Sequence, residues 1–295
     1  MGRVKRPFSS SPKGCGQLKI KFFKMNGAGN DFIVIDNREN ILADFDINHF
    51  VKMVCRRGKS IGADGLMLLE NSNTVDFKMR YFNSDGSEGE MCGNGARCIA
   101  RFANMIGVAG KAMKFETISG VHEALLVDDE VRIMFPDLSL DNFKLFQKHD
   151  FGFGPVEYHF ATVGVPHTMI FREDVESMDY GTLLEWGRKI RYTLNVFPKG
   201  TNVNFIKIVD GSNITVRTYE RGVENETLAC GTGSVASSIV CFLIGRVEPP
   251  VQVKVRGGRL KVGFELIDER FVNVYLQGDA RTVAEGYILP DAWKE

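Results

Sequence analysis

The feature that most restricts this chain is an internal repeat. Cys92-Gly93-Asn94-Gly95 opens an apolar run that closes at Gly107, and Cys230-Gly231-Thr232-Gly233 opens another that closes at Gly245. Both the starts and the ends are 138 residues apart. Each Cys also precedes a turn glycine by 28 residues, Gly120 in one case and Gly258 in the other. Upstream, Arg80-Tyr81-Phe82-Asn83 parallels Arg217-Thr218-Tyr219-Glu220, and the stretch from Met25 to Asp31 parallels that from Val163 to Met169. In this alignment His167 falls opposite Gly29 and Asn30. Agreement of several segments in one order means two halves on one plan, with a site expected between them.

Each repeat runs strand, polar turn, Cys-Gly-x-Gly, helix. The glycines let backbone approach a ligand, and the first helical N–H groups lack partners inside the helix. Such a terminus carries partial positive charge suited to a carboxylate or phosphate. A Cys placed there is expected to have a lowered thiol pKa. Two such termini facing one another would grip one anion and offer a thiol to each side of it. That pattern fits inversion at a carbon next to a carboxylate: one thiolate takes the α-proton, and the opposite thiol returns one to the other face. Amide donors would stabilise charge spreading onto the carboxylate, with no metal or cofactor required.

Other sites are missing their patterns. Gly27-Ala28-Gly29 continues as Asn30-Asp31-Phe32, which is not a dinucleotide fingerprint, and no glycine-rich turn continues as Gly-Lys-Ser/Thr. The six cysteines include no Cys-x-x-Cys pair, so neither a zinc site nor a disulfide framework is expected. Cys98 and Cys241 read as packing residues within apolar helical runs. Lys+Arg and Asp+Glu number 37 each, which argues against bulk attraction to nucleic acid. Thr227 to Gly245 is 19 residues without charge, but its glycines and hydroxyl residues read as a buried core helix rather than a membrane span. The expectation is a cytoplasmic small-molecule enzyme with no membrane partner.

The fold class reads as α+β. Strands are expected at 32–36, 66–70, 77–82, 124–127, 131–135, 168–171, 204–209, 214–220, 251–255 and 271–276, and amphipathic helices at 47–57 and 180–191. Residues 1–18, with four basic and no acidic residues, read as a disordered leader outside the fold.

These residues resemble a known family. Lys24-Met25-Asn26-Gly27-Ala28-Gly29-Asn30-Asp31-Phe32 looks like the opening motif of diaminopimelate epimerases. Phe82 to Glu88 with Met91 to Cys98 resembles their first catalytic signature, and Glu220 to Val223 with Glu226 to Gly233 resembles the second. The match runs from about residue 20 to the C-terminus. It implies a cofactor-independent enzyme, free of pyridoxal phosphate, that interconverts LL- and meso-2,6-diaminopimelate for lysine and cell-wall precursors. It also implies two pseudo-symmetric domains, 19–136 and 137–280, with 281–295 returning to the first. Each would be a β-rich shell around a central helix, with the site in the cleft and a homodimer as the assembly.

Carried over by motif, Cys92 and Cys230 are the acid/base thiols, assisted by His167 and Glu220. Amides of Gly93, Asn94, Gly231 and Thr232 would hold the reacting carboxylate. Asn30, Asn83, Asn202 and Arg221 would bind the rest of the substrate. Many members carry Asn before the Pro-His pair where this chain has Val165, which cannot hydrogen-bond the distal end of a substrate. The turn after Arg221 is also one residue longer than in some members. A related racemase of another amino acid, such as histidine, is the alternative within the class. Cysteines at both helix starts argue against the isomerase branch that lacks the thiol pair, and the paired anion sites against a thiol-redox protein.

Overall fold

The computed structural model describes residues 19–294; the expected leader, 1–18, lies outside them. The first half contains β1 (Ile20–Gly27), β2 (Asn30–Asp36), α1 (Ile47–Val54), β3 (Gly65–Glu70), β4 (Phe77–Asn83), β5 (Glu88–Gly89), α2 (Gly93–Met105), β6 (Ala112–Thr117), β7 (Gly120–Val127) and β8 (Glu130–Met134). After β9 (Leu138–Ser139) and β10 (Phe143–Asp150), the same order recurs. It runs β11 (Pro155–Val163), β12 (Val165–Phe171), α3 (Tyr180–Arg191), β13 (Asn202–Asp210), β14 (Asn213–Glu220), β15 (Asn225–Thr227), α4 (Gly231–Leu243), β16 (Val251–Val255), β17 (Gly258–Ile267) and β18 (Arg270–Asp279). β19 (Arg281–Ile288) closes the series.

The pairings repeat as faithfully as the order. β1–β2, β3–β4, β6–β7 and β7–β8 are antiparallel, while β2–β3 and β4–β6 are parallel. β11–β12, β13–β14, β16–β17 and β17–β18 reproduce the former, and β12–β13 and β14–β16 the latter. β18 pairs with β8, so the sheet of one half continues into the other. β19 returns to β1, as β10 flanks β11.

Each half buries a central helix. α2 packs Ala96, Ile99, Phe102 and Ala103 against Phe32, Met67 and Phe115. α4 packs Val235, Ala236, Ile239 and Val240 against Met169, Ile206 and Val262. Residues Gly233 through Cys241 of α4 are all buried, as an uncharged helix inside a shell requires. The outer helices are amphipathic. α1 lays Phe50, Val51 and Val54 on Ile33, Leu66 and Leu68, and α3 sets Leu183 and Ile190 on Val203 and Phe205. β2 is therefore covered on both faces, Phe32 and Val34 by the central helix and Ile33 and Ile35 by α1. That explains its unbroken apolar run.

Two expectations on register are corrected. α1 ends at Val54 rather than at residue 57, because the chain turns away before Gly58, whose φ is +75°. Phe32 faces Gly65 and His167 faces Asn202 at the same point of the parallel strand pair, so the counterpart of His167 is Phe32, not Gly29 or Asn30. Asn83 faces Gly65 and, in register, Glu220 follows as its counterpart. Among the described residues, no helix is long and apolar enough to cross a membrane.

Candidate active site

The repeated strand–turn–helix places both cysteines alike. Cys92 and Cys230 are the N-cap residues of α2 and α4, with φ/ψ of −128°/118° and −113°/111°. Both are extended, so each sulfur leaves the strand side and meets the first turn of its own helix. The N–H groups of Asn94 and Gly95 favour a thiolate at Cys92, and that of Gly233 does so at Cys230. Asn94 was expected to serve the substrate; Gly95 and Gly233 were not foreseen. The two helix starts meet, and a charge on either sulfur is felt by the other.

The expected lowering of the thiol pKa values is overturned. Burial pushes both thiols up, and the amide donors offset it only in part. Glu220 adds to the effect at both sulfurs whenever it is ionised. Its own carboxyl is pushed up by burial, which favours the neutral acid. A helix start lowers a thiol pKa by a dipole effect that fades within a turn, whereas desolvation of an enclosed anion is larger.

His167 is fully buried, and enclosure depresses its pKa to about 3, so the ring is neutral. Its Nδ1 faces the Asn204 side-chain amide at 3.3 Å, and its Nε2 lies 3.0 Å from the Thr232 hydroxyl. Asn204 is oriented by the Thr218 hydroxyl on its Oδ1 (2.9 Å) and by its own donation to the Thr168 carbonyl (3.2 Å). The ring therefore accepts at Nδ1 and donates Nε2–H to Thr232. Thr232 in turn lies 3.7 Å from the Cys230 sulfur. A line of Asn204, His167, Thr232 and Cys230 results. Sequence reasoning missed Asn204 and Thr218, and placed Thr232 by its amide rather than its hydroxyl.

Comparison with known proteins decides the family. The family model described as diaminopimelate epimerase matches residues 22–137 and 159–283. The diaminopimelate epimerase of Chlorobaculum tepidum is 44% identical over 272 residues, covering 90% of this chain and 99% of the relative. That of Archaeoglobus fulgidus is 40% identical over 282 residues, covering 92% and 97%. The chain belongs to the diaminopimelate epimerase family. Among solved structures, a Bacillus anthracis phenazine biosynthesis protein of the PhzF family superimposes with a TM-score of 0.66 at 14% identity, covering 92% of this chain and 99% of that one. A hydroxyproline epimerase from Agrobacterium vitis gives 0.65 at 16%, covering 92% and 93%. These two likenesses concern the fold alone.

In this epimerase-family chain the remaining expected residues have the following partners. Asn30 donates to Asp64 (3.0 Å) and accepts from Asn94 (2.5 Å), and Asn94 also reaches the Ala229 carbonyl at 3.4 Å, bridging the halves. Asn83 accepts from the Tyr81 hydroxyl (2.9 Å), a contact not foreseen, and donates to Ser87 (3.1 Å). Asn202 accepts the Arg221 backbone N–H at 2.7 Å. The Arg221 guanidinium bonds the Lys199 carbonyl (2.9 Å), pairs with no carboxylate among the described residues, and acts on His167 by its charge. It borders a cavity of about 590 Å³ walled also by Val165, Pro166, Phe160 and Phe197. Gly93 lies in open surroundings, while a Cβ on Gly231 would press on Leu276.

Proposed function

We propose that the Cys92–Cys230 pair catalyses the interconversion of LL- and meso-2,6-diaminopimelate, and that this isomerase needs no cofactor for it. Equivalent placement of two thiols, Cys92 half-buried and Cys230 buried, at meeting helix starts carries the proposal. Membership of the family supplies the substrate. One thiolate removes the α-proton, breaking Cα–H and forming S–H. The opposite thiol delivers its proton to the other face and is left as thiolate, so charge and protons balance. Free amides of the first helical turns, Gly93 and Gly231 among them, hold the reacting carboxylate while it takes up charge. His167, through Thr232, tunes the Cys230 side, and Glu220 acts on both sulfurs. Arg221, with no acidic partner, suits the distal carboxylate, and Asn30, Asn83 and Asn202 complete the distal and proximal contacts.

Deuterium-oxide exchange over a panel of amino acids tests this directly. Diaminopimelate should exchange its α-proton and invert, and Cys92→Ala or Cys230→Ala should each lower inversion by about 10²-fold or more, the scale of a lost general acid or base. Exchange with another amino acid and not with diaminopimelate would favour the related-racemase reading, for which Val165 in the cavity wall is the supporting observation.

For the assembly, the proposal is two domains, 19–136 with the returning tail and 137–280, in a cytoplasmic homodimer. β19 supports the dimer: among the described residues it pairs with β1 alone, and it exposes Val283 and Tyr287 by 63% and 58%.

A further inference from the structure

The central helix of the first half encloses a cation that the central helix of the second lacks. Arg97, within α2, is the largest side chain with no exposure at all. Its guanidinium bonds neutral acceptors: the Asp279 backbone carbonyl from Nε (3.2 Å), the Gly93 carbonyl from Nη1 (3.4 Å) and Asn94 Oδ1 from Nη2 (2.9 Å). Among the described residues, no carboxylate lies within ion-pair distance of it. An enclosed cation without a counter-charge is strongly unfavourable, and the positive end of α2 adds to the same region.

The ionisable groups that act most on this guanidinium are Cys98, Cys92, Asp279 and Glu130. The Asp279 carboxylate is already taken by Arg281 (2.8 Å) and the Ala28 N–H (3.0 Å). Glu130 takes the Gln277 amide at 2.6 Å. Cys98 is buried in the apolar cluster, where its thiol is pushed up to about 12. Of the four, Cys92 is the one that caps the helix turn Arg97 grips, through the Gly93 carbonyl and Asn94 Oδ1. In the other half, the residue five beyond Cys230 is Val235, packed in an apolar core. The second thiol is acted on chiefly by Glu220, the Thr232 hydroxyl, the Gly233 amide and Cys92, while Arg221 on that side acts by its charge on His167. Glu220 faces both sulfurs, and Tyr81 faces Cys92, so neither supplies a positive charge to distinguish them.

We propose that Arg97 is a positioning residue that assigns the resting negative charge of the thiol pair to Cys92 and leaves Cys230 as the protonated partner. The inference rests on the two cysteines forming a thiol pair, as proposed above. Its consequence is an enzyme whose two directions start unequally. The isomer presenting its α-hydrogen to Cys92 meets a ready base. The other isomer requires a proton to pass from Cys230 to Cys92 first.

The test labels the ligand-free protein with limiting iodoacetamide and follows each cysteine by peptide mass spectrometry across pH. Accessibility scales each rate but does not move its inflection. In the wild type the Cys92 rate should rise at lower pH than the Cys230 rate. Arg97→Lys should preserve that order. Arg97→Met should cut Cys92 labelling at neutral pH by about tenfold or more, one titration unit, and leave Cys230 unmoved. Inflections that coincide or fall in the opposite order in the wild type overturn the assignment, as does a folded Arg97→Met protein with an unshifted Cys92. Should that variant not fold, thiolate absorbance of Cys230→Ala against Cys92→Ala decides: the former must ionise at lower pH. Neither measurement involves turnover, so failure here leaves the exchange result standing, and the reverse.

Discussion

At the residue scale, local rules and enclosure pulled in opposite directions. The Cys-Gly-x-Gly starts were legible because backbone chemistry at a helix N-terminus is local. The thiol pKa values were not, because burial by the opposite half leaves no mark beside either Cys. The same holds for His167, whose partners Asn204 and Thr232 lie 37 and 65 residues away. Thr232→Val keeps the side-chain shape but removes the hydroxyl between His167 and Cys230, and leaves Nε2–H without its acceptor. A kcat fall of about tenfold is expected, consistent with one lost hydrogen bond, and should be largely absent when His167 is already replaced. A double-mutant cycle in kcat checks it.

His167 also sets an acid lability. Its folded pKa of about 3 lies below the ordinary 6.5, so between those values the unfolded chain binds the extra proton. Stability is complete above about pH 6.5 and falls as pH drops, by about 2 kcal/mol at pH 5 from this group alone. Glu220, pushed up by burial, acts in the opposite sense, adding stability as pH falls toward its ordinary 4.5. Denaturant melts should show a shallower loss from pH 7 to pH 5 in His167→Gln than in the wild type.

Elements were legible where pattern is local and periodic. Nine of the ten expected strands fall within observed ones, the tenth, 131–135, runs one residue past β8, and α3 spans Tyr180–Arg191 as expected. β10 and β19 escaped because both of their faces carry exposed residues, so no alternation marks them. Pairings such as β8 with β18 and β1 with β19 join residues more than a hundred positions apart and leave no sequence signal. The contact between the halves likewise depends on an unmarked glycine. A Cβ on Gly257 would overlap the Ala28 carbonyl oxygen, where the turn after β16 meets the β1–β2 turn. Gly257→Ala should lower unfolding free energy by about 1–3 kcal/mol, the cost of overpacking. Gly211→Ala, in open surroundings, should change it by about 0.5 kcal/mol or less. Urea titration of the two variants separates them.

For the whole molecule, the two sheet edges are treated differently. β10 pairs with β11 alone, and it is guarded by Lys144, Lys148 and an irregularity between Lys144 and Gln147. Such charges and bulges discourage pairing with another chain. β19, its counterpart in the other half, carries Thr282, Val283, Ala284, Gly286 and Tyr287 in succession around one acid, Glu285. Glu285 is itself paired with Lys21 at 3.3 Å. An edge with two large exposed apolar side chains suits association better than a solvent face. A two-fold contact would let one patch serve both copies. The wild-type protein should therefore sediment as a dimer at micromolar concentration, and Val283→Lys with Tyr287→Lys should shift it to monomer while far-ultraviolet circular dichroism stays unchanged. Val283 and Tyr287 are not among the residues proposed for the site, so the monomer should retain α-proton exchange. A wild type that sediments as a monomer, or a doubly substituted protein that remains dimeric, would remove β19 as the dimer contact.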